Sequence, residues 1–391
     1  MMNNGTMRKA EAKSAGTVTL LTHSYLNGYG RDYSRLFGGG LERYVDLLCR
    51  AVKELGLTPV VYQLTYYEPF DTVYEGVRVR GWPFDAHRIT EAFELMAESA
   101  EGLLIYASCI WHPIRYRPGS IGICHGINWD TPSLAAETKA AIGQHIHQAL
   151  RQLDRLVSVD SHFQTYCRAV GEFEDPASIT LLPNPVDTSW FVPRKDRPSP
   201  DGEIRVLYPR RLSYERGLVT MMLSADELLS RYPSVTVEFA GELIDGSMMA
   251  AVFGLWHEAH PHRDRIIHRT YTFETIREAY HQADIAVIPT LFSEGTSLSC
   301  LEAMSCGLPV VATNVGGLND LVVNGMTGRL TPPSAEAITP AISELIEQPR
   351  LRRRLGAAAR RAALTFDQAR WLAEWKAIIA AQLEKRDGCR R

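Results

Sequence analysis

Several signals are missing from this chain, and each absence removes a class of protein. No apolar run approaches the roughly 20 residues that a membrane helix needs. The 42 Lys and Arg are balanced by 45 Asp and Glu, for a formal net charge of −3, so the basic excess expected of a nucleic-acid binder is lacking. No Cys-x-x-Cys occurs. Seven cysteines are scattered at 49, 109, 124, 167, 300, 306 and 389, an odd number that cannot all pair. Most lie within apolar segments, where a thiol acts as a small hydrophobe, and this usage fits a reducing compartment. A complete Gly-x-Gly-x-x-Gly is also lacking, so the dinucleotide fingerprint of a dehydrogenase is not satisfied. The first sixteen residues, MMNNGTMRKAEAKSAG, have no apolar centre of the signal-peptide kind and read as a disordered tail. The expected location is the cytoplasm.

What is present is a two-part α/β pattern. With 391 residues, 45% hydrophobic and 22% charged, the chain is too long for one ordinary core. Short β-branched runs alternate with helical periodicity: Thr17–Thr22, Val60–Tyr62, Val77–Val79, Leu103–Ala107 and Arg155–Val159 in the first half, Arg205–Pro209, Val235–Ala240 and Ile266–His268 in the second. Between the halves lies RKDRPSPDGE, residues 194–203, a polar and Pro-rich linker. The expected division is a tail over 1–16, a first domain over 17–190, a second over 191–365, and a terminal helix with its tail over 366–391.

The most informative stretch runs from Ile285 to Pro332. An apolar strand, Ile285–Ile288, leads into Ser293-Glu294-Gly295-Thr296-Ser297, then a helix carrying Leu298, Leu301, Ala303 and Met304, then a second strand, Val310–Ala312, ending at Gly316-Gly317. Strand, loop, helix, strand is one βαβ unit of a parallel sheet. Its helix start offers unpaired backbone N–H groups and a positive dipole end to an anion. Glu294 on the loop and Glu302 in the helix add two hydroxyl-seeking carboxylates eight residues apart. Such a combination suits a sugar joined to a diphosphate. A retaining glycosidase would instead need carboxyl groups about 5 Å apart, which this spacing does not ensure.

Glu294-x7-Glu302, followed by Ala-Met-x-x-Gly-x-Pro-Val-Val-Ala-Thr-x-x-Gly-Gly, resembles the signature of the GT-B glycosyltransferases of family 4. The resemblance implies two Rossmann-like domains facing a cleft, with a C-terminal helix crossing back to the first domain. It also implies retaining transfer from a nucleoside-diphosphate sugar, with UDP favoured, to an acceptor hydroxyl of a glycan, glycolipid or small glycoside. Glu302 would bind the ribose and Glu294 a hydroxyl of the donor sugar, while Gly295, Thr296, Ser297 and Leu298 would present backbone donors. In Arg-Leu-Ser-Tyr-Glu-Arg-Gly, Arg211 matches the family arginine and Arg216 stands where lysine is usual; both would stabilise the departing diphosphate. Gly38-Gly39-Gly40-Leu-Glu-Arg resembles the glycine-rich loop of the first domain, which brings Gly39 and Gly40 to the diphosphate. His125, before Gly126, matches the histidine that faces the reacting centre. Asn184-Pro185-Val186-Asp187 resembles the Asn-Gly-Val-Asp at the exit of the first domain, with Pro in place of Gly.

Other features carry less specific readings. Tyr25, Tyr29, Arg31, Tyr33 and Arg35, in the long loop after the first strand, form the candidate acceptor surface; a packed surface loop is the alternative. His257-Glu258-Ala259-His260-Pro261-His262 is not His-Glu-x-x-His, because the second histidine comes one residue early and Pro261 breaks the helix. With no Asp-x-Asp either, no metal requirement and no cofactor are expected, the sugar nucleotide being a substrate. The arginines between 350 and 361 read as a solvated helix face, or as a peripheral membrane contact. Two rivals remain open: a sugar-nucleotide epimerase on the same fold, and a sugar-nucleotide-binding protein without catalysis.

Overall fold

The computed structural model describes residues 16–108, 110–126, 130–170, 179–195 and 202–388. The expected tail, most of the linker, Cys109 and Cys389 lie outside the described residues. Among the described residues ten strands belong to the first half: β1 (Thr17–Thr22), β2 (Leu26–Asn27), β3 (Asp32–Leu36), β4 (Thr58–Thr65), β5 (Phe70–Tyr74), β6 (Val77–Pro83), β7 (Leu103–Tyr106), β8 (Ile121–Cys124), β9 (Arg155–Ser158) and β10 (Ile179–Leu181). Eight of them form one sheet in the order β10-β9-β8-β7-β1-β4-β6-β5, parallel except for the β5–β6 pair, while β2 and β3 make a separate hairpin. The second half contributes β11 (Ile204–Tyr208), β12 (Val235–Ala240), β13 (Ile266–Arg269), β14 (Ile285–Ile288), β15 (Val310–Thr313) and β16 (Gly328–Thr331). These form a parallel sheet in the order β13-β12-β11-β14-β15-β16. Both sheets are flanked by helices, and the central strands are buried on both faces. That is why they read as continuous apolar runs rather than alternating ones. The architecture is GT-B.

The helices of the first half are α1 (Gly40–Glu54), α2 (Ile89–Ser99), α3 (Ala136–Gln152) and α4 (Ser161–Val170). Those of the second are α5 (Leu218–Arg231), α6 (Met248–Ala259), α7 (Ile276–Gln282), α8 (Leu298–Ser305), α9 (Leu318–Leu321), α10 (Ala335–Glu347), α11 (Pro349–Ala363) and α12 (Gln368–Gly388). Among the elements that escape the sequence reading are β5 and β16. β5 is an edge strand of half-buried and exposed residues, without the apolar run that marks a central strand. β16, Gly-Arg-Leu-Thr, is too short and mixed to carry periodicity. Among the described residues no helix is long and apolar enough to cross a membrane.

The chain passes between the two sheets twice, side by side. Val186 N–H donates to the Phe366 carbonyl at 2.9 Å, and Gln368 N–H returns the bond to Val186 at 3.0 Å. From this junction α12 runs back over the first sheet and lies against α1. There Trp371, Leu372, Trp375, Ile378 and Ile379 join the core built on Val18, Leu20, Val45 and Leu48. Trp375 is fully buried and its Nε1–H donates to the Tyr44 hydroxyl at 3.0 Å. Trp375→Ala removes that volume and strands a buried hydroxyl, so a loss of about 3–5 kcal/mol is expected. Urea denaturation checks it; an unchanged midpoint would mean that α12 is not structurally integral to the first sheet.

The basic helix α11 is partly structural. Arg360 donates to the carbonyls of Phe191, Thr188 and Ser305 at 2.9–3.0 Å, and so stitches the helix to the inter-sheet crossing.

Candidate active site

All strands of a parallel sheet point the same way, so the loops at their carboxyl ends gather on one edge. The two edges meet at the β14–α8 loop. Its backbone is gripped from both sides by glycine. At Gly316 the backbone has φ +50°, and a Cβ there would stand 2.0 Å from the Glu294 carbonyl oxygen. On the opposite side Gly126 has φ +96°, and its missing Cβ would lie 3.1 Å from the Gly295 nitrogen. Any side chain at these two positions would push the loop away. The grip is completed by Gly317 N–H on the Glu294 carbonyl (3.0 Å), Asn184 Nδ2 on the Thr296 carbonyl (2.7 Å) and the Thr296 hydroxyl on the Val159 carbonyl. Asp130 also accepts from Ser293 N–H at 3.1 Å. Four of these partners, Gly126, Asp130, Val159 and Asn184, come from the first half of the chain.

Glu294 is buried with two arginines. Its Oε2 accepts from Arg210 Nη2 at 2.7 Å, Arg216 Nη1 at 2.6 Å and the Thr290 hydroxyl at 2.8 Å. Burial alone would push this carboxyl up. The two guanidinium charges outweigh it and hold the group below its ordinary range. Arg210 also donates to the hydroxyls of Ser297 (2.5 Å) and Ser299 (3.1 Å), which ties the carboxylate to the first turn of α8. Every described bond goes to Oε2, so Oε1 is left for a ligand.

Glu302 sits one turn into α8, buried, with both oxygens engaged. Arg43 of α1 donates to Oε1 at 2.6 Å across the cleft, and the Tyr280 hydroxyl donates to Oε2 at 2.8 Å. The starts of the two helices are in contact, since a Cβ on Gly40 would be 3.2 Å from Leu298 Cδ1. Two positive helix ends therefore converge on one spot, a place where an anion is stabilised and where two dipoles alone repel.

His125 closes the site from β8. Its Nε2 lies 2.9 Å from the Ala107 carbonyl, and Tyr44 meets the ring edge-on at 4.7 Å. A carbonyl only accepts, so Nε2 carries the proton and Nδ1 keeps its lone pair for a hydroxyl. Burial pushes the imidazole down to about 4 from an ordinary 6.5, with the nearby His23 adding to the effect. Because the folded value lies below the unfolded one, protonation favours the unfolded chain. His125 thus costs the fold stability as pH falls from 6.5 toward 4, and contributes no pH dependence above 6.5. His125→Gln should flatten the melting-temperature profile over that window. A profile identical to that of the unaltered protein would show that the ring is not buried as a neutral base.

Comparison with known proteins bears on this geometry. Residues 192–362 match the family model of the glycosyl transferases group 1. The chain is a glycosyltransferase, and its second half is similar to the group 1 family. A glycogen synthase of Mycobacterium tuberculosis is 26% identical over 401 aligned positions, covering 90% of this chain and 91% of the relative. Among solved structures, sucrose-phosphate synthase from Thermosynechococcus elongatus superposes with a TM-score of 0.76 at 19% identity, over 96% of this chain and 100% of its own. HepE of Anabaena, in complex with UDP-glucose, gives 0.72 at 16% identity, over 94% and 100%. At these identities the two structures bear on the fold alone.

Within this glycosyltransferase the residues named from the sequence separate into three groups. Gly39, Gly40, His125, Arg216, Glu294, Gly295, Thr296, Ser297, Leu298 and Glu302 come together at the meeting of the two edges. Arg211 is displaced from the expected cluster. Its Nε is 3.6 Å from Glu242, and its charge acts on the buried Glu42 of α1, while its neighbour Arg210 takes the place beside Glu294. Consecutive residues after a strand end point to different sides, and sequence alone does not say which one turns inward. The third group is the acceptor surface. Tyr25 does not belong to it: the side chain is 0% exposed and its hydroxyl donates to Asp46 at 2.8 Å, a core position. Tyr33 packs on Phe70 at 4.0 Å, and Arg35 pairs with Asp32 at 2.7 Å on the surface. Tyr29 and Arg31 do face outward. Arg210, Arg43 and Tyr280 went unnoticed in the sequence. Arg43 alone had a signal, as the last residue of the glycine-rich motif.

His260, from the histidine-rich segment, lies 3.0 Å from Asp226, and among the described residues no group of three His, Cys, Asp or Glu could hold a metal ion.

Proposed function

We propose that the enzyme is a retaining family 4 transferase that takes its sugar from a UDP-sugar and passes it to a hydroxyl of a glycan, glycolipid or small glycoside. The observation that carries this reading is the convergence of the α1 and α8 N-termini at Gly40 and Leu298, flanked by Glu294 and Glu302. A diphosphate between those helix ends relieves their repulsion. Its ribose then reaches Glu302, and its sugar reaches Oε1 of Glu294 and Nδ1 of His125. The bond between the anomeric carbon and the diphosphate oxygen breaks, and the charge that develops is met by Arg210, Arg216 and the amides of residues 295–298. The acceptor hydroxyl attacks the anomeric carbon from the same face, and its proton passes to the leaving diphosphate. No metal ion and no cofactor enter this scheme, because arginines and helix ends supply the positive charge. The glycogen synthase relative supports the choice of a glycan.

The test is incubation with UDP-, GDP- and dTDP-sugars in EDTA, with release of nucleoside diphosphate followed by chromatography and the anomeric configuration of the product read by NMR. UDP release with retention is expected. Release only with added metal, or inversion, overturns the mechanism. Binding without release favours a non-catalytic carrier, and conversion of the sugar without release favours an epimerase.

A further inference from the structure

The loops at the carboxyl edge of the first sheet carry a strip of aromatic side chains. Tyr66 and Tyr67 follow β4, Phe84 follows β6, and Tyr29 lies in the turn of the β2–β3 hairpin that follows β1. Tyr66 is 52%, Tyr29 45% and Tyr67 39% exposed, among the largest exposed apolar groups on the chain. The rings are in mutual contact: Tyr29 to Tyr66 at 5.2 Å, Tyr66 to Phe84 at 4.6 Å, Tyr29 to Phe37 at 4.9 Å. The Arg31 guanidinium covers Tyr67 at 3.8 Å from a residue held at φ +53°. Left-handed backbone at a non-glycine residue is strained, and it places that guanidinium on the strip.

Exposed contiguous aromatics mark a contact surface. Three of the rings are phenols, which offer an apolar face together with a hydrogen-bonding rim, the chemistry that a sugar ring needs. The flanking Glu68 and Asp85 are exposed acids, which disfavour an anionic lipid surface. The strip also shares its edge with His125. In the order β8-β7-β1-β4 three strand steps separate His125 from Tyr66, about 14 Å at about 4.8 Å per step. A single sugar at the reacting centre does not span that distance.

We infer that Tyr29, Tyr66, Tyr67 and Phe84, with Arg31, form a stacking subsite for the non-reacting part of an oligosaccharide acceptor several residues long. This rests on the transferase reading and narrows its acceptor class to a glycan chain, as against a small glycoside or a lipid.

The full chain and the double variant Tyr66→Ala/Tyr67→Ala are compared on an array of immobilised mono- to decasaccharides, with UDP affinity measured by calorimetry in parallel. The rings are exposed, so melting temperature and UDP affinity should not change. Binding to glycans longer than a trisaccharide, with a loss of at least tenfold in the variant, is expected. The subsite is refuted if the unaltered chain binds no glycan, if the variant binds as well as the parent, or if phosphatidylglycerol vesicles are bound through the same two tyrosines. Glycan binding with no affinity for UDP would instead sink the choice of UDP as donor nucleotide and leave the strip standing.

Discussion

Glu294→Ala is expected to abolish transfer and to lower stability together. The substitution leaves Arg210, almost wholly buried, without its carboxylate, and among the described contacts leaves Arg216 with the Ser293 carbonyl at 3.2 Å. Stranding a buried charge costs about 3–5 kcal/mol. The catalytic loss, on the order of 100-fold or more in kcat, follows from removing the group that we propose aligns the donor sugar and that holds the arginines in place. Glu294→Gln separates the two effects, since it keeps the volume and an oxygen for Arg210 while losing the charge. It should fold, melt closer to the parent, and still show a reduced kcat. The ion pairs hold the carboxyl below its ordinary 4.5, so they contribute stability that is present above that pH and is lost as pH falls below it. Glu294→Gln should lose that acid dependence. A Gln variant with unaltered kcat and KM would remove Glu294 from the reaction.

The second large effect concerns Arg43. Its 2.6 Å pair with Glu302 links residues 259 positions apart and joins the glycine-rich loop to helix α8 across the cleft. A ribose that takes Glu302 must share Oε1 with this guanidinium or displace it. Arg43→Ala should therefore lower kcat by about tenfold, the scale of one charge-assisted hydrogen bond, because the two halves are held together less well. The affinity for UDP should be kept or should rise. Glu302→Ala should behave in the opposite way, with UDP affinity falling by about tenfold on the same scale. Calorimetry with UDP on both variants decides the matter. If Arg43→Ala loses UDP affinity in step with kcat, Arg43 is a nucleotide ligand and not a clasp between the halves.

Much of the molecule was legible before the structure because its signals are local. A strand buried on both faces must be apolar throughout, so β1, β7, β12, β14 and β15 announced themselves. A helix start that faces a ligand needs small residues and a cap, so the Glu294-to-Leu298 loop stood out. Tyr25 shows the limit. One residue type serves equally well as a core filler bonded to Asp46 or as a platform for a ligand, and only the direction of the chain after β1 tells them apart. Tyr66 and Tyr67 show the converse, since they follow an unremarkable strand and gain meaning only beside Tyr29 and Phe84.

By itself the sequence determined the alternation of strands and helices, the two sheets, and the placing of Glu294 and Glu302 on one βαβ unit. These depend on periodicity and on neighbours a few residues away. The tertiary structure decided which arginine meets Glu294, that Arg43 and Tyr280 occupy Glu302, and which tyrosines are buried. Each of those outcomes depends on how two sheets, folded from distant segments, bring their carboxyl edges together, and no local pattern encodes that meeting.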